Sequence, residues 1–360
     1  MKVLGIETSC DETAAAVVES AGQRRLKLLS NVVASSIDQH RLYGGVVPEI
    51  AARSHIESIN PVIGRALREA GCRWDDIQAI AVTYGPGLGG SLLVGVLSAR
   101  TLAILHDKPL YPINHVEAHV YSAFITETGK ELTQDYRVSP KRPDFPLLAL
   151  IVSGGHTQLV FFKEHSDYHV LGKTTDDAAG EAFDKVAKML GLPYPGGPGI
   201  EKLAGRGNAE KYNFPKAKTA GKYDFSYSGL KTAVLRTAQK AIGEDYTFPS
   251  HQLAQRLSGG QKADIAAGFT QAALELLVDK TVAAEREFQP KSIVVAGGVS
   301  ASPKLRLLLS ERLPDKKLYF PDSKLCTDNA VMIAALGYFK AGSTQPASPE
   351  LLEIVPNLSM

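Results

Sequence analysis

Apolar positions along the chain fall into short β-branched runs separated by polar turns and by longer stretches at helical spacing. Lys2 to Ile6 is the first run, Glu7-Thr-Ser-Cys-Asp-Glu-Thr13 follows as a polar turn, and Ala14 to Val18 resumes the apolar pattern, which predicts a hairpin. Ile50, Ala51, Ile56, Ile59, Ile63 and Leu67 recur at helical spacing between Glu49 and Ala70, and Gly71 supplies a stop. Ile77 to Val82 reads as a buried strand. The glycine-rich Tyr84-Gly-Pro-Gly-Leu-Gly-Gly-Ser91 then opens an apolar helix over 92–105, where bare backbone serves either an anion or close packing. It lacks the lysine and spacing of a P-loop, so packing is the expectation.

The second half repeats this plan. A polar, proline-bearing segment, Thr126 to Pro146, reads as a linker between domains. Beyond it Leu147 to Val152 is an apolar strand, Ser153-Gly-Gly-His-Thr157 a tight turn and Gln158 to Phe162 a second strand, a hairpin placed like the first. Ser292 to Ala296 is a buried strand ending in Gly297-Gly-Val-Ser-Ala-Ser302, and Pro303 begins a helix running through Leu309. Two polar hairpins and a strand-Gly-Gly-helix junction are what a nucleotide cleft between duplicated domains requires, with backbone groups against phosphates, adenine or ribose.

The length of 360 residues suits two domains, and 44% hydrophobic with 22% charged residues describes a folded globular chain. A formal net charge of +2 is too small to announce nucleic-acid binding by the whole chain, so any basic surface must be local. One local stretch qualifies: nine Lys/Arg stand against three Asp/Glu between Lys185 and Lys231, interleaved with Tyr194, Tyr212, Phe214 and Tyr223. It reads either as an RNA surface with stacking rings or as a solvated lysine face over core aromatics. Cys10, Cys72 and Cys326 are odd in number and widely spaced, so neither a disulfide framework nor a thiolate zinc cage is indicated. The start of the chain shows no signal-peptide pattern and no apolar run reaches membrane-spanning length, which leads us to expect a cytoplasmic protein.

The sharpest chemistry lies in Pro112 to Val120, where His115 and His119 stand four residues apart and point the same way from a helix. Zinc peptidases share that spacing but place the base glutamate directly after the first histidine; here Val116 holds that place and Glu117 follows. A catalytic metal also needs a third protein ligand, which spacing alone does not identify. Read alone, Asp328 is an N-cap for a helix from Asn329 to Phe339. Asp11 and Glu12 read either as a solvated turn or as two acids facing a ligand.

Gly5-Ile-Glu-Thr-Ser-Cys-Asp-Glu-Thr13, His115-Val-Glu-Ala-His119, Val152-Ser-Gly-Gly-His-Thr157, Asp176-Asp-Ala-Ala-Gly-Glu-Ala-Phe-Asp184, Tyr194-Pro-Gly-Gly-Pro198, Phe225-Ser-Tyr-Ser-Gly-Leu-Lys231, Gly297-Gly-Val-Ser300 and Cys326-Thr-Asp-Asn329 occur in order. With these motifs the chain closely resembles the bacterial tRNA adenosine threonylcarbamoyltransferase family, TsaD, within the actin, heat-shock chaperone and sugar-kinase superfold. The resemblance implies an α/β fold of two duplicated actin-like ATPase (ribonuclease H-like) domains flanking a nucleotide cleft. The first would span 1–130, joined by a C-terminal helix over 329–342, and the second 131–328.

The resemblance supplies Asp328 as third metal ligand with His115 and His119. Two-histidine, one-carboxylate ligation suits Fe²⁺ or Zn²⁺; the family association favours iron. Around the phosphate and acyl part of the substrate it places Ile151, Val152, Ser153, Gly154 and Gly155. Asp184 and Glu201 would meet ribose hydroxyls or orient neighbours, with the Gly196-Gly197 turn allowing close approach. Ser302 stands where the family commonly has asparagine, so it either contacts the ligand or caps the next helix. The implied reaction moves threonylcarbamoyl from threonylcarbamoyl-adenylate to the N6 amine of the adenosine 3′ to the anticodon, in tRNAs reading codons that begin with adenine, and releases AMP. Asp11 or Glu12 would take the amine proton or position the base. The implied partners are tRNA, a paralogous actin-like subunit (TsaB) and a small P-loop ATPase (TsaE), with no membrane. A sugar or acyl kinase of the same superfold and a metallopeptidase are the alternatives; paired histidines speak against the first and the misplaced glutamate against the second.

Overall fold

A computed structural model describes residues 1–20, 22 and 25–360. Close contacts divide the chain into two compact units, the first made of Met1–Asp144, Glu164–Asp167 and Tyr319–Met360, the second of Phe145–Lys163 and Tyr168–Leu318. The last forty or so residues thus return to the unit in which the chain began.

Unit 1 starts with β1 (Lys2–Glu7), β2 (Glu12–Ser20) and β3 (Leu26–Ser35), followed by α1 (Ile37–Arg41), α2 (Pro48–Glu69), β4 (Ala79–Gly85), α3 (Gly89–Leu105), β5 (Leu110–Asn114), α4 (His115–Tyr121) and β6 (Ile125–Thr128). The strands form one sheet in the order β5-β4-β1-β2-β3-β6. β1 is antiparallel to β2, with Leu4 opposite Val17, and parallel to β4, with Val3 opposite Ala79. The polar segment read as a linker from Thr126 therefore begins inside a strand: β6 adds to the sheet in parallel with β3, Leu26 opposite Ile125. Successive side chains face opposite sides of a strand. Leu4, Ile6, Ile80 and Val82 accordingly share a core cluster with Ile59, Ile63, Val96 and Ala99 of α2 and α3. Ile56, expected on that face, is instead 65% exposed, and the buried residue of that turn is His55.

Unit 2 holds β7 (Leu147–Val152), β8 (Thr157–Glu164), β9 (Asp167–Lys173), α5 (Ala179–Met189), α6 (Gly196–Ala204), α7 (Ser228–Ala241), α8 (Leu253–Arg256), α9 (Gly259–Phe288), β10 (Ser292–Ala296), α10 (Pro303–Arg312) and β11 (Leu318–Tyr319). Its sheet runs β11-β10-β7-β8-β9. β7 is antiparallel to β8 and parallel to β10, Leu150 lying opposite Leu159 and Val295. Both sheets thus place an antiparallel hairpin, β1–β2 or β7–β8, beside a parallel strand made later in the chain, β4 or β10. That is the duplication read from the paired hairpins.

The final helix, α11 (Ala330–Ala341), lies on the other face of the unit 1 sheet, where a Cβ on Gly337 would meet Ala81 and Val3. Covering both faces explains why β1 and β4 read as unbroken apolar runs. The segment after α11 also folds back: Ala347 N donates to Leu110 O (2.9 Å) and Val355 N to Tyr84 O (2.7 Å). Among the described residues no helix is long and apolar enough to cross a membrane.

Candidate metal centre and nucleotide-binding turns

His115 is the first residue of α4, and Asn114 before it is the cap, its Oδ1 accepting from Val116 N (2.9 Å) and Glu117 N (3.1 Å). His119 follows one turn later, and the two buried rings stand edge to face with centroids 4.8 Å apart. The third member comes from the turn before α11. Asp328 does not cap that helix, as the sequence alone suggested. Asn329 does, its Oδ1 accepting from Val331 N (3.0 Å) and Met332 N (3.2 Å), while its amide donates to Thr327 O (2.7 Å) and Leu325 O (3.2 Å). With the capping done by its neighbour, Asp328 Oδ1 lies 3.5 Å from His115 Nε2 and 3.6 Å from His119 Nε2.

These three are the group among the described residues that could hold a metal ion, their ligand atoms all within 4.8 Å of one another. Donors about 2.1 Å from an ion at a tetrahedral angle stand roughly 3.4 Å apart, close to both histidine–carboxylate distances. The other nitrogen of His115 is already engaged: Nδ1 lies 3.0 Å from Glu7 Oε2 and 3.1 Å from Ser9 Oγ. A carboxylate behind a ligating histidine fixes its tautomer and aims Nε2 outward. Burial would raise the Glu7 carboxyl, but the His115 charge and hydrogen bonds from His115, Thr83 and Ser9 hold it below the usual range. Glu117, the glutamate a peptidase would need as base, is buried and directed to Lys340 Nζ at 3.7 Å.

Asp11 and Glu12 do not form a solvated tip. Asp11 is buried, and Glu12 is half-buried with an Oε1 that accepts from Ser35 Oγ (3.3 Å). Burial, then the charges of Asp328 and Asp11, push the Glu12 carboxyl up to about 10; burial likewise raises Asp328 to about 6, against the opposing pull of His115. The raised Glu12 and Asp328 carboxyls, beside two imidazoles, make a donor set that a divalent cation would relieve. The residues therefore fit a metal.

The turn that carries Asp11 is packed by the glycine-rich loop before α3. A Cβ on Gly87 would strike the Ser9 backbone, and Leu88 N donates to Ser9 O (2.8 Å). This agrees with the packing expectation for that loop.

In unit 2, Ile151 and Val152 end β7 with side chains wholly buried, so only their backbone is available to a ligand. Ser153 closes the turn, its Oγ accepting from His156 N (3.1 Å), while Gly154 and Gly155 are exposed. Gly297, at φ +91°, approaches the Val152 backbone so closely that a side chain would clash. Asp184 of α5 accepts from Gly196 N (2.6 Å), and burial raises its carboxyl. On α6, Gly197 faces open space and Glu201 accepts from the Ser302 hydroxyl. Ser302 also caps α10, accepting from Leu305 N (3.1 Å). Asp184, Glu201 and Ser302 thus tie α5, α6 and α10 together.

The basic stretch is less basic in three dimensions. Lys185 and Lys231 pair with Asp177, Lys211 with Asp264, Lys216 with Asp279 and Glu275, and Lys222 with Glu287. Phe214 and Tyr223 are buried, which removes them as stacking platforms; Tyr194 and Tyr212 are half-buried. Among the described residues, Lys188, Lys202, Arg206 and Lys218 remain as exposed cations.

Sequence reasoning missed Glu7 and Ser9 behind His115, and His40 and His55 beside the acidic turn. Glu7, Ser9 and His55 meet their partners far along the chain, where no local spacing encodes them, whereas His40 bonds Ser36 four residues before it.

The TsaD family, described as tRNA N6-adenosine threonylcarbamoyltransferase, matches residues 27–335. Proteins of that name from Thermomicrobium roseum and Symbiobacterium thermophilum are 48% and 50% identical over 348 and 339 residues. The first alignment covers 95% of this chain and 92% of the relative, the second 94% and 91%. The Bacillus subtilis protein is 46% identical over 341 residues, covering 94% and 90%. Among solved structures, full-length HypF in its phosphate- and nucleotide-bound form matches with a TM-score of 0.57 at 13% identity, over 96% of this chain and 47% of that one, a likeness of fold alone. The chain belongs to the TsaD family of tRNA N6-adenosine threonylcarbamoyltransferases and has the family's duplicated actin-like α/β architecture.

Proposed function

We propose that the protein transfers threonylcarbamoyl from threonylcarbamoyl-adenylate to the N6 amine of the adenosine 3′ to the anticodon, in tRNAs that read codons beginning with adenine. Bond for bond, the amine nitrogen attacks the carbamoyl carbon, the bond from that carbon to the phosphate oxygen breaks, AMP leaves and the amine gives up a proton. An exocyclic adenine amine is a poor nucleophile, so alignment of the amine and stabilisation of the departing phosphate carry most of the acceleration. The Ser153–Gly155 turn, the Gly297–Gly298 junction and Asp184, Gly197 and Glu201 serve the adenylate. Ile151 and Val152 contribute backbone only, and Ser302 acts through Glu201 and the cap of α10.

His115, His119 and Asp328 hold the metal, Fe²⁺ in preference to Zn²⁺, which supplies Lewis-acid polarisation when bound. Their convergence within one unit is the observation that carries this assignment. Asp11 or Glu12 receives the amine proton or positions the base. The binding of Glu117 by Lys340 withdraws support from the peptidase alternative. A tRNA-modifying activity fits the cytoplasm. We further propose TsaB-like and TsaE-like partners, on the family resemblance.

The test is transfer to tRNA with partner proteins supplied, alongside metal analysis of protein purified without oxygen or chelator. His119→Ala and Asp328→Ala should each lose metal and transfer together while thermal unfolding shifts little. Full metal occupancy in Asp328→Ala removes that residue from the site. Undiminished transfer by a metal-free His115→Ala/His119→Ala protein refutes the metal assignment.

A further inference from the structure

Every carbonyl from Ser9 to Asp11 in the β1–β2 turn is clamped by a group from a different element. Ser9 O accepts from Leu88 N ahead of α3 (2.8 Å). Cys10 O accepts from Ser91 Oγ (3.2 Å) and faces His55 Nε2 of α2 (3.0 Å). Asp11 O accepts from Ser36 N (3.0 Å) and Ser36 Oγ (2.8 Å) at the start of α1.

Behind two of these clamps stand histidines with no exposed surface. Their partners fix their tautomers. A carbonyl cannot donate, so His55 carries its proton on Nε2, and its Nδ1 accepts from the Thr13 hydroxyl at 2.8 Å. His40 Nδ1 accepts from Val47 N–H (3.2 Å), so its proton also sits on Nε2, 3.0 Å from Ser36 Oγ. Ser36 accepts that proton and donates its own to Asp11 O. Two directed chains result: Thr13 to His55 to Cys10 O, and Val47 to His40 to Ser36 to Asp11 O. Burial lowers the basicity of His55 and so keeps the ring in this neutral form. Two buried polar rings at two adjacent carbonyls are more than a hairpin turn needs for closure, because such turns are ordinarily satisfied by their own backbone and by water.

We propose that His40 and His55 are positioning residues, which lock the backbone of Cys10 and Asp11 so that the Asp11 and Glu12 carboxyls are held at reacting distance, without themselves touching substrate. The inference rests on the assignment of Asp11 and Glu12 to proton handling. Reaction geometry is sensitive to displacements of about 1 Å, which can cost on the order of a hundredfold in rate. Freeing Cys10 O should therefore be read in kcat and not in tRNA affinity.

The experiment compares His55→Ala, His55→Gln, Ser36→Ala, Asp11→Asn and Glu12→Gln in the full chain with its partner proteins, measuring kcat, KM for tRNA, bound metal and thermal unfolding. His55→Ala should lower kcat by about tenfold to a hundredfold, with KM and metal content near those of the unaltered protein. His55→Gln, whose amide N–H can reach Cys10 O, should recover most of that loss. Unaltered kcat in His55→Ala despite a lowered unfolding temperature overturns the proposal, as does His55→Gln being as slow as His55→Ala. Should His55→Ala fail to fold, Ser36→Ala decides: a reduced kcat at constant KM supports the clamp and an unaltered kcat overturns it. Unaltered kcat in both Asp11→Asn and Glu12→Gln sinks the underlying acid–base assignment, whereas a slow Asp11→Asn beside a fast His55→Ala sinks only the positioning role.

Discussion

At the scale of single residues, the proposed metal centre draws on Glu7 as well as on its three candidate ligands. Glu7 is wholly buried, accepts from Thr83 Oγ1 at 2.6 Å and meets His115 Nδ1. Glu7→Gln keeps the shape but removes the charge that supports the imidazole. Metal affinity should fall by about tenfold to a hundredfold, measured by competition with a chromogenic chelator, and an unaltered affinity would show that Ser9 alone orients the ring. Asp176 offers a pH test away from the metal. It accepts from Tyr227 N (2.7 Å), Ser228 N (3.2 Å) and the Ser226 and Ser228 hydroxyls at the start of α7. Its small degree of burial works upward, but these bonds prevail and hold the carboxyl below its ordinary 3.8. A carboxyl lowered by folding stabilises fully above the unfolded value, and that contribution fades as pH falls through the folded one. The urea midpoint of Asp176→Asn should therefore lie below that of the unaltered protein at neutral pH, with the gap closing in acid below about pH 4. A gap independent of pH would assign the effect to packing.

At the scale of elements, two asparagine caps present the proposed metal ligands. Asn114 precedes His115, and Asn329 follows Asp328. Loss of such a cap typically costs about 1 kcal/mol, but here it should also loosen a ligand. Asn329→Ala should lose metal at a chelator concentration that the unaltered protein withstands, while Ser302→Ala, which removes the cap of α10, should lower stability and leave metal binding intact. Equal metal retention by both variants would separate capping from ligand placement. The contrast also shows what was legible. His115 and His119 could be read because four-residue spacing on a helix is a local signal. Asp328 was reached by resemblance, and on its own was mistaken for the cap that Asn329 supplies one residue later. Glu7 looked like part of a polar turn because its partner, His115, lies 108 residues away. The hairpins at Lys2 and Leu147 were plain, since two short unbroken apolar runs around a polar turn need no distant information.

At the scale of the whole molecule, the lysine-rich stretch is a warning about reading charge from sequence. Counted linearly its excess was +6, yet acids of α5 and α9 and the residues between β9 and α5 neutralise five of its nine cations. Any binding of RNA by this stretch falls to Lys188, Lys202, Arg206 and Lys218. Changing these four to glutamate should weaken tRNA binding and flatten its salt dependence, by roughly 0.7 to 0.9 in logarithmic slope for each phosphate no longer neutralised. Changing the paired Lys211 and Lys216 instead should lower stability with little effect on that slope. Unaltered tRNA affinity in the fourfold variant would place the RNA surface elsewhere.

Unit 2 is spliced into unit 1, and this imposes a schedule on a chain emerging from the ribosome. Domains tend to fold as units in the order they are made. Here the first sheet is synthesised early, yet α11, which covers one of its faces, and Asp328, the third member of the proposed metal site, are made only after all of unit 2. Until then β1 and β4 leave an apolar face uncovered and His115 and His119 wait without their carboxylate. The nascent protein must therefore keep a half-built sheet from aggregating, and the three residues of the proposed metal site can meet only among the last steps of its own making.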